Sequence, residues 1–303
     1  MPSGTADSRS VGVARIDGQG LVALVNARCG CSLVLDGYAD GGESGGAAYV
    51  RWPNGDRSVL SVAPLPPARV ELIGSVLAGA RHGGIPTPRY QLVVPIDDGA
   101  VLVQERLPGR PPERIDVETM DAIIRLTDRF AGLLAPRPDV PPIDLHLRHS
   151  GTDLFRHETL ATHSTRSRRL LTQIRDAADN TDEVAGDDLV HCDLTPGNVL
   201  FDAGAISAVI DWHGANGLAR GDRAFGLVVL RWDLAWGGAL DPSYPGIDPP
   251  AISRLDDRLD SLPEQTLRRY WASMSLRMVD WTIRRHGPED VDHQLAFAAT
   301  RLT

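Results

Sequence analysis

The sequence of 303 residues contains no lysine, because all 31 of its basic residues are arginine. This absence excludes any site that depends on a lysine side chain. The arginines are outnumbered by 40 aspartates and glutamates, which gives a formal net charge of -9 at pH 7. That balance argues against a general nucleic-acid binder, since such proteins need a basic surface to displace phosphate counterions.

Cysteines and long apolar runs are also scarce. Cys29, Cys31 and Cys192 are too few for a disulfide framework and lack the paired spacing of a zinc site. No apolar run reaches the roughly 20 residues that cross a membrane, and Met1 to Gly20 has no apolar segment typical of a secretory signal. We therefore expect an ordinary globular protein in the cytoplasm.

The first hundred residues have the pattern of a β-rich domain. Asn54-Gly55, flanked by apolar residues, is a strong hairpin signal, and Arg69 to Ala80 is helical and is ended by glycine and proline. Five short apolar runs predict a five-stranded sheet: Ser32–Leu35, Ala47–Trp52, Ser58–Val62, Tyr90–Val94 and Ala100–Gln104.

A loop rich in glycine lies between the first two of these runs. Its residues Gly41, Gly42, Ser44 and Gly45 allow a ligand to approach the backbone closely. Taken alone, such a loop is more often a flexible turn than a phosphate-binding site. Its meaning therefore depends on what else the sequence contains.

Beyond residue 106 the pattern becomes helical. The segment Leu107 to Pro112 breaks regular structure and predicts a boundary between domains 1–106 and 107–303. Two short β segments, Asn198–Phe201 and Ile206–Asp211, lie among the helices. The predicted helices are Val117–Leu134, an interrupted Thr152–Ala178, Ala224–Trp236, Pro263–His286 and Pro288–Leu302. The sequence thus predicts an α+β protein with a β-rich first domain and a helical second domain.

The residues that carry chemistry are concentrated around these two β segments. His191, Asp193 and Asn198 form a His-x-Asp-x-x-x-x-Asn pattern, and Asp211 follows at the end of a strand. Phosphoryl transfer needs a carboxylate beside the incoming hydroxyl and oxygen ligands for magnesium. Asp193 can supply the first, and Asn198 and Asp211 can supply the second.

This array resembles the aminoglycoside phosphotransferase and choline kinase-like family, whose members are relatives of the protein kinases. The resemblance spans most of the chain and implies a two-lobed, protein-kinase-like fold with one helix beside the five-stranded antiparallel sheet. It implies that Asp193, with His191, is catalytic. Asn198 and Asp211 would be the ligands of Mg²⁺.

The resemblance also implies a nucleotide site for ATP or GTP. The glycine-rich loop would bind phosphate, and the stretch Leu102–Gly109 looks like the family's interlobe hinge. Backbone groups near Glu105 and Leu107 would pair with the nucleotide base. Ser61 stands in the third strand at the place of the family's phosphate-binding lysine.

Four positions depart from the family pattern. Ser61 cannot replace a cation, and Arg223, Gly226 and His213 stand where the family usually has proline, a bracing aspartate and an acidic residue. Glu71 is the only carboxylate of the predicted helix that would pair with the lysine. Two interpretations follow: an active enzyme in which an arginine such as Arg51 or Arg57 takes over the cationic role, or a non-catalytic, nucleotide-binding pseudokinase. The intact Asp193, Asn198 and Asp211 favour the active enzyme.

The acceptor is expected to bind to the helical domain. Trp232 and Trp236 lie one helical turn apart with Asp233 beside them, and Trp271 follows later in the chain. Such rings can stack on a ligand, although most single tryptophans are core residues. A net acidic protein suits a cationic antibiotic, so we expect an antibiotic kinase with a resistance or self-resistance role. A choline or sugar kinase is the alternative, and the oligomeric state stays open.

Overall fold

The computed structural model describes residues 16–39, 46–151, 153–214, 217–240 and 244–302. The chain forms two compact units. The first contains the described residues up to Gly79 together with Pro88–Leu107, and the second contains Ala80–Thr87 and the described residues from Pro108 onward. Across the described ranges, no helix is long and apolar enough to cross a membrane.

The first unit is built on a five-stranded antiparallel sheet in the order β1-β2-β3-β5-β4. All five strands were predicted from the sequence, and the Asn54-Gly55 turn joins β2 to β3 as expected. The elements in chain order are α1 (Gly18–Cys29), β1 (Val34–Tyr38), β2 (Ala48–Arg51), β3 (Arg57–Ala63), α2 (Pro67–His82), β4 (Tyr90–Ile96) and β5 (Gly99–Glu105).

Helix α1 was not expected from the sequence. It begins where Asp17 accepts a hydrogen bond from the Gly20 N–H at 2.9 Å, and it ends at Gly30, whose φ of 63° is in the left-handed region. Val22 and Val25 pack on one face of the sheet. Because side chains alternate along a strand, the other face is available to α2, where Val70 lies among buried sheet residues.

The second unit is mainly helical, as predicted. Its main elements are β6 (Arg114–Ile115), α3 (Val117–Asp128), α4 (His157–His163), α5 (Thr165–Asp176), β7 (Asp188–His191), β8 (Val199–Asp202), β9 (Ala205–Val209), β10 (Leu218–Gly221), α6 (Ala224–Leu240), β11 (Gly246–Ile247), α7 (Pro249–Asp260), α8 (Glu264–Arg285) and α9 (Pro288–Arg301). A short 3₁₀ turn, Pro196–Asn198, precedes β8.

The interruption predicted between residues 152 and 178 lies at Ser164, which forms a capping box with Ser167 and starts α5. Two other helices differ from the sequence prediction. Helix α3 ends at Asp128, whereas the predicted helix extended to Leu134, and tight turns follow it instead. Helix α7 was missed, although Pro249 and Pro250 at its first positions are a start signal.

Two short antiparallel strand pairs in this unit position the residues of the candidate site. Strand β7 pairs with β10, with His191 opposite Leu218. Strands β8 and β9 form a hairpin in which Val199 lies opposite Val209. The residues just before β8 and just after β9 therefore emerge side by side at the open end of the hairpin.

Candidate active site

The hairpin brings Asn198 and Asp211 to one end of the sheet pair. Asn198 immediately precedes β8, and Ile210 and Asp211 follow β9. The Ile210 N–H donates to the Asn198 carbonyl at 2.9 Å, which extends the ladder by one bond beyond the strands. Two residues that are 13 positions apart in the sequence thus become neighbours.

His191 joins the start of the catalytic loop to this hairpin. It is 1% exposed, its Nε2–H donates to the Ile210 carbonyl at 2.9 Å, and its Nδ1 accepts from the Asp193 N–H at 3.1 Å. Burial lowers the pKa of His191, and a neutral ring has one donor and one acceptor nitrogen, as these two contacts require. The Trp212 ring packs against it at a centroid distance of 4.3 Å.

Asp193 lies on the loop that follows β7, with 25% of its side chain exposed. Its carbonyl accepts from Nδ2 of Asn198 at 2.8 Å. That bond fixes the amide so that the Asn198 side chain has its oxygen as the remaining polar atom. The loop therefore presents the Asp193 carboxylate and the Asn198 amide oxygen on two residues whose positions are joined by this bond.

Asp211 has a strained backbone. Its φ of 61° is in the left-handed region, which a residue other than glycine rarely adopts and which is common at functional sites. A Cβ at Gly214 would lie 3.2 Å from both carboxylate oxygens of Asp211, so glycine leaves space for the carboxylate at this turn. With 43% of its side chain exposed, Asp211 is accessible to a ligand.

His213 lies beside this carboxylate. Its Nε2 is 3.8 Å from Oδ1 of Asp211, and only 8% of its side chain is exposed. Burial lowers the pKa of His213, and the nearby Asp211 opposes that effect. His213 thus adds a buried imidazole at a position where the family usually has an acidic residue.

Arg277 is the site residue that the sequence did not reveal. It projects from α8, and its NH2 nitrogen donates to Oδ1 of Asp193 at 2.7 Å while NH1 donates to the Cys192 carbonyl at 2.6 Å. Only 7% of its side chain is exposed. The one available signal is an arginine inside a run of buried residues, because a buried arginine must have an acidic or carbonyl partner.

The other departures from the family pattern have structural explanations. A Cβ at Gly226 would lie 3.2 Å from the His191 carbonyl, so α6 packs directly on the catalytic loop where the family has its bracing aspartate. Arg223 pairs with Asp188 at 2.8 Å. Asp222 caps α6 through the Ala224 N–H at 2.9 Å, which fixes the segment after β10.

Comparison with known proteins agrees with the phosphotransferase chemistry expected from the sequence. Residues 39–246 match the model of the phosphotransferase enzyme family. The chain belongs to this phosphotransferase family. The expectation of a phosphotransferase enzyme is thereby confirmed, and Asp193, Asn198 and Asp211 lie within the matched segment, whereas Arg277 lies beyond it. A search of curated protein sequences finds no match.

Solved structures similar to this phosphotransferase confirm the protein-kinase-like fold. A thermostable mutant of aminoglycoside phosphotransferase APH(4)-Ia, in a ternary complex with AMP-PNP and hygromycin B, is 17% identical, with 93% of this chain and 98% of that chain covered and a TM-score of 0.66. An aminoglycoside-3'-phosphotransferase of type VIII is 23% identical, covering 85% and 98%, with a TM-score of 0.55. A putative fructosamine-3-kinase from Haemophilus somnus 129PT is 11% identical, covering 93% and 97%, with a TM-score of 0.56.

Three of the nucleotide-binding residues predicted for this phosphotransferase, Ser61, Glu105 and Leu107, belong to its first unit. Gly41, Gly42, Ser44 and Gly45 lie outside the described residues. At the predicted hinge, the Glu105 N–H donates to the Arg89 carbonyl at 2.9 Å. A backbone contact from Glu105 to a nucleotide base would therefore use its carbonyl oxygen. Leu107 follows two residues later at the end of this unit.

Ser61 lies on the central strand β3, opposite Leu102 of β5, and is 8% exposed. Arg51 and Arg57, the expected substitutes for a lysine, lie 3.8 and 3.4 Å from the carboxylate of Asp36. Arg57 is four residues from Ser61 along the strand, about 13 Å away at the usual rise per residue. Neither arginine is thus positioned as a replacement at Ser61.

Two of the four predicted substrate-binding residues are core residues instead. Trp232 is 0% and Trp271 is 4% exposed, and Nε1 of Trp232 donates to Gln294 at 2.8 Å. Neither ring has a surface on which a ligand can stack, which corrects the expectation for both. Their burial follows from tertiary packing against α9, where Phe297 contacts both rings.

Asp233 and Trp236 of α6 are partly exposed and remain candidates. The Tyr244 hydroxyl donates to Oδ2 of Asp233 at 2.5 Å. The Trp236 ring packs edge-on against Trp281 and His286, with centroid distances of 5.9 and 5.3 Å. Trp232 and Trp236 lie one helical turn apart in α6 but have different environments, because α9 covers Trp232 and leaves Trp236 partly exposed.

Proposed function

We propose that this phosphotransferase moves the γ-phosphate of a nucleoside triphosphate to a hydroxyl group of a small molecule, with Asp193 acting on the hydroxyl proton. The observation that carries the proposal is the convergence of Asp193, Asn198 and Asp211 at the open end of the β8–β9 hairpin. Hydrogen bonds from His191, Asn198 and Ile210 connect these three residues through the backbone.

Asp193 is the proposed general base. One of its oxygens is bound by Arg277, and a quarter of the side chain is exposed, so the other oxygen is the one to meet the acceptor hydroxyl. His191 is proposed to position rather than to transfer a proton, because both of its ring nitrogens are used by backbone groups. General-base assistance of this kind contributes about 10²–10⁴ to a rate.

Asn198 and Asp211 fit the magnesium ion that phosphoryl transfer implies. They offer an amide oxygen and a partly exposed carboxylate, which are hard ligands of the type that Mg²⁺ prefers. The ion, when bound, supplies charge neutralisation at the phosphate oxygens. The chain supplies the fixed turn at Asp211 and the space that Gly214 leaves beside its carboxylate.

Arg277 is proposed as a positioning residue for Asp193. In the family an aspartate at the start of the following helix braces the catalytic loop, but here Gly226 packs on the His191 carbonyl. Arg277 binds the loop from α8 instead, through the Cys192 carbonyl and the Asp193 carboxylate. A guanidinium can make both bonds at once, because its N–H groups form a rigid fork.

The acceptor is proposed to be an antibiotic, with ATP or GTP as the phosphate donor. Similarity to aminoglycoside phosphotransferases supports this substrate class, and the net charge of -9 favours a cationic ligand. Trp236 and Asp233 are the proposed contacts. The fold shared with a putative fructosamine-3-kinase supports the alternative, a sugar or amino-alcohol acceptor.

Thermal-shift titration with ATP and GTP, with and without Mg²⁺, tests the nucleotide and metal parts of the proposal. Ligand at 100 times its dissociation constant should raise the free energy of unfolding by about 2.7 kcal/mol. Asp211→Asn should remove the Mg²⁺-dependent part of the shift. Asp202→Asn, at the exposed turn of the same hairpin, is the matched control. The absence of any nucleotide shift in the wild type would contradict the proposed nucleotide site.

A substrate screen tests the acceptor. The protein, ATP, GTP and Mg²⁺ are incubated with panels of aminoglycosides, other antibiotics, choline and sugars, and mass spectrometry detects the gain of one phosphoryl group. Trp236→Ala should raise the KM for the true acceptor, while the KM for nucleotide stays unchanged. Transfer to no hydroxyl compound of a broad panel would contradict the proposed function.

A further inference from the structure

Three potential metal ligands lie on one short segment between α3 and α4, apart from the residues proposed for phosphoryl transfer. Asp144, His146 and His149 each offer a side-chain atom, and these atoms all lie within 4.8 Å of one another. The His146 N–H donates to Oδ1 of Asp144 at 2.9 Å, and His146 has a φ of 54°. This tight turn folds the segment back so that the three side chains meet.

The distances between these atoms suit a metal ion. Nε2 of His149 is 3.0 Å from Oδ2 of Asp144, and Nδ1 of His146 is 3.7 Å from Oδ1 of the same residue. Tetrahedral coordination with bonds of about 2.0–2.2 Å separates neighbouring ligand atoms by roughly 3.3–3.6 Å. The two observed separations run to different oxygens of Asp144 and lie on either side of that value, so either oxygen is near enough to share an ion with a histidine.

Asp182 provides the outer partner that a metal-binding histidine usually has. Its Oδ2 is 3.2 Å from Nδ1 of His149, and only 4% of its side chain is exposed. The backbone holds the two segments together, because the Leu145 N–H donates to the Asp182 carbonyl at 3.0 Å. A carboxylate on one ring nitrogen directs the lone pair of the other nitrogen toward the metal.

That arrangement leaves an electrostatic conflict unless a cation is present. With the Nδ1 proton of His149 directed at Asp182, Nε2 and Oδ2 of Asp144 are both acceptors, 3.0 Å apart. Two facing acceptors repel, so a proton or a metal ion has to lie between them. The ring as an imidazolium and the ring as a metal ligand are the two solutions.

One buried atom favours the metal. Nδ1 of His146 is shielded from solvent and has no hydrogen-bond partner among the described residues. An unmade bond of this kind costs about 1–3 kcal/mol. A proton on His149 does nothing for His146, whereas a cation between the three ligands gives its Nδ1 a partner.

We infer that Asp144, His146 and His149 bind a divalent transition-metal ion, Zn²⁺, with Asp182 orienting His149. Two imidazoles and one carboxylate suit Zn²⁺ better than Mg²⁺, which prefers oxygen ligands. Three protein ligands leave a fourth position for water. The ion joins the segment at residues 144–149 to the segment around Asp182, and this inference does not depend on the proposed kinase activity.

Metal analysis of the full chain, purified without a histidine tag, tests the inference. The protein is stripped with a chelator, dialysed against Zn²⁺ and analysed by mass spectrometry for bound zinc. The parent protein and all variants made from it carry Asp211→Asn, so that zinc at the catalytic loop is not counted. We expect one equivalent of zinc, with Co²⁺ giving the visible absorption of a tetrahedral site.

The variants separate binding from folding. His149→Ala and His146→Ala should each lose the zinc, and Asp182→Asn should weaken binding about 10–100-fold. His163→Ala, an exposed histidine at the end of α4, is the matched control and should bind as the parent does. Added zinc should raise the melting temperature of the parent and of the control, but not that of His149→Ala or His146→Ala. A parent that binds less than a tenth of an equivalent, or zinc that persists in His149→Ala, would overturn the inference.

Discussion

The catalytic loop after β7 and the central strand β3 contain two halves of the chemistry expected of a kinase, and they have diverged to different degrees. In the loop, Asp193 and Asn198 are retained, and each is held by hydrogen bonds. In β3, Ser61 stands where the family has a phosphate-binding lysine, and it is buried. The chain thus contains the residues proposed for acid–base chemistry and metal binding, but it has a serine at the position where the family resemblance implies a cation.

The changes at β3 are consistent with one another. A buried lysine needs an acidic partner, because an unpaired buried charge is costly. Glu71, the only carboxylate of α2, is exposed on the helix surface. The absence of a lysine at Ser61 and the absence of an inward-facing carboxylate on α2 are therefore compatible, because neither leaves a buried charge without a partner.

The largest effect is expected at the catalytic loop. Asp193→Asn keeps an oxygen that can accept from Arg277 but removes the base, so the turnover number should fall by about 10²–10⁴. The measurement is ADP release from ATP with the acceptor found in the screen. The melting temperature should stay near that of the wild type, and a rate within a factor of ten of the wild type would refute the role of Asp193.

A smaller effect is expected at Arg277, the cation that binds the catalytic loop. Its substitution tests whether this loop, unlike β3, depends on a positive charge. Arg277→Met should lower the turnover number about 10–100-fold, by analogy with the loss of outer residues that orient a reacting group, and should leave the KM for the acceptor nearly unchanged. It should also lower the free energy of unfolding by about 1–3 kcal/mol, because the Cys192 carbonyl loses its partner.

Arg277→Lys is the matched control for charge. Lysine keeps the positive charge but cannot make both bonds in the same geometry, so its rate should lie between those of the wild type and Arg277→Met. Rates are compared well below the melting temperature of each variant. A turnover number unchanged in Arg277→Met would mean that the arginine has only a structural role.

The smallest effect on activity is expected at β3. Ser61→Lys restores the family residue, but no carboxylate of α2 is buried near it to pair with the charge. The nucleotide KM should therefore change less than about threefold, while the unfolding free energy falls by about 1–3 kcal/mol. Ser61→Ala controls for loss of the hydroxyl. A tenfold gain in nucleotide affinity without loss of stability would show that the lysine position is still functional.

Local sequence patterns predicted the sheet more completely than the helices. Each of the five strands has an apolar run bounded by turn residues, and the Asn54-Gly55 turn was explicit. Helix α1 is marked only by its Asp17 and Gly30 caps, because its apolar residues lack a clear helical period. Trp232 and Trp236 looked equivalent in the sequence, and only the packing of α9 against Trp232 separates them.

The sequence by itself indicated the enzyme class, a phosphotransferase, which the family match confirms. The spacing of His191, Asp193, Asn198 and Asp211 encodes a loop and a hairpin, and both are local structures whose ends must meet. Only the tertiary structure decided what surrounds them. Arg277 reaches Asp193 from 84 residues away, and Asp182 reaches His149 from another segment, because pairings at such separations depend on how helices pack and leave no period in the sequence.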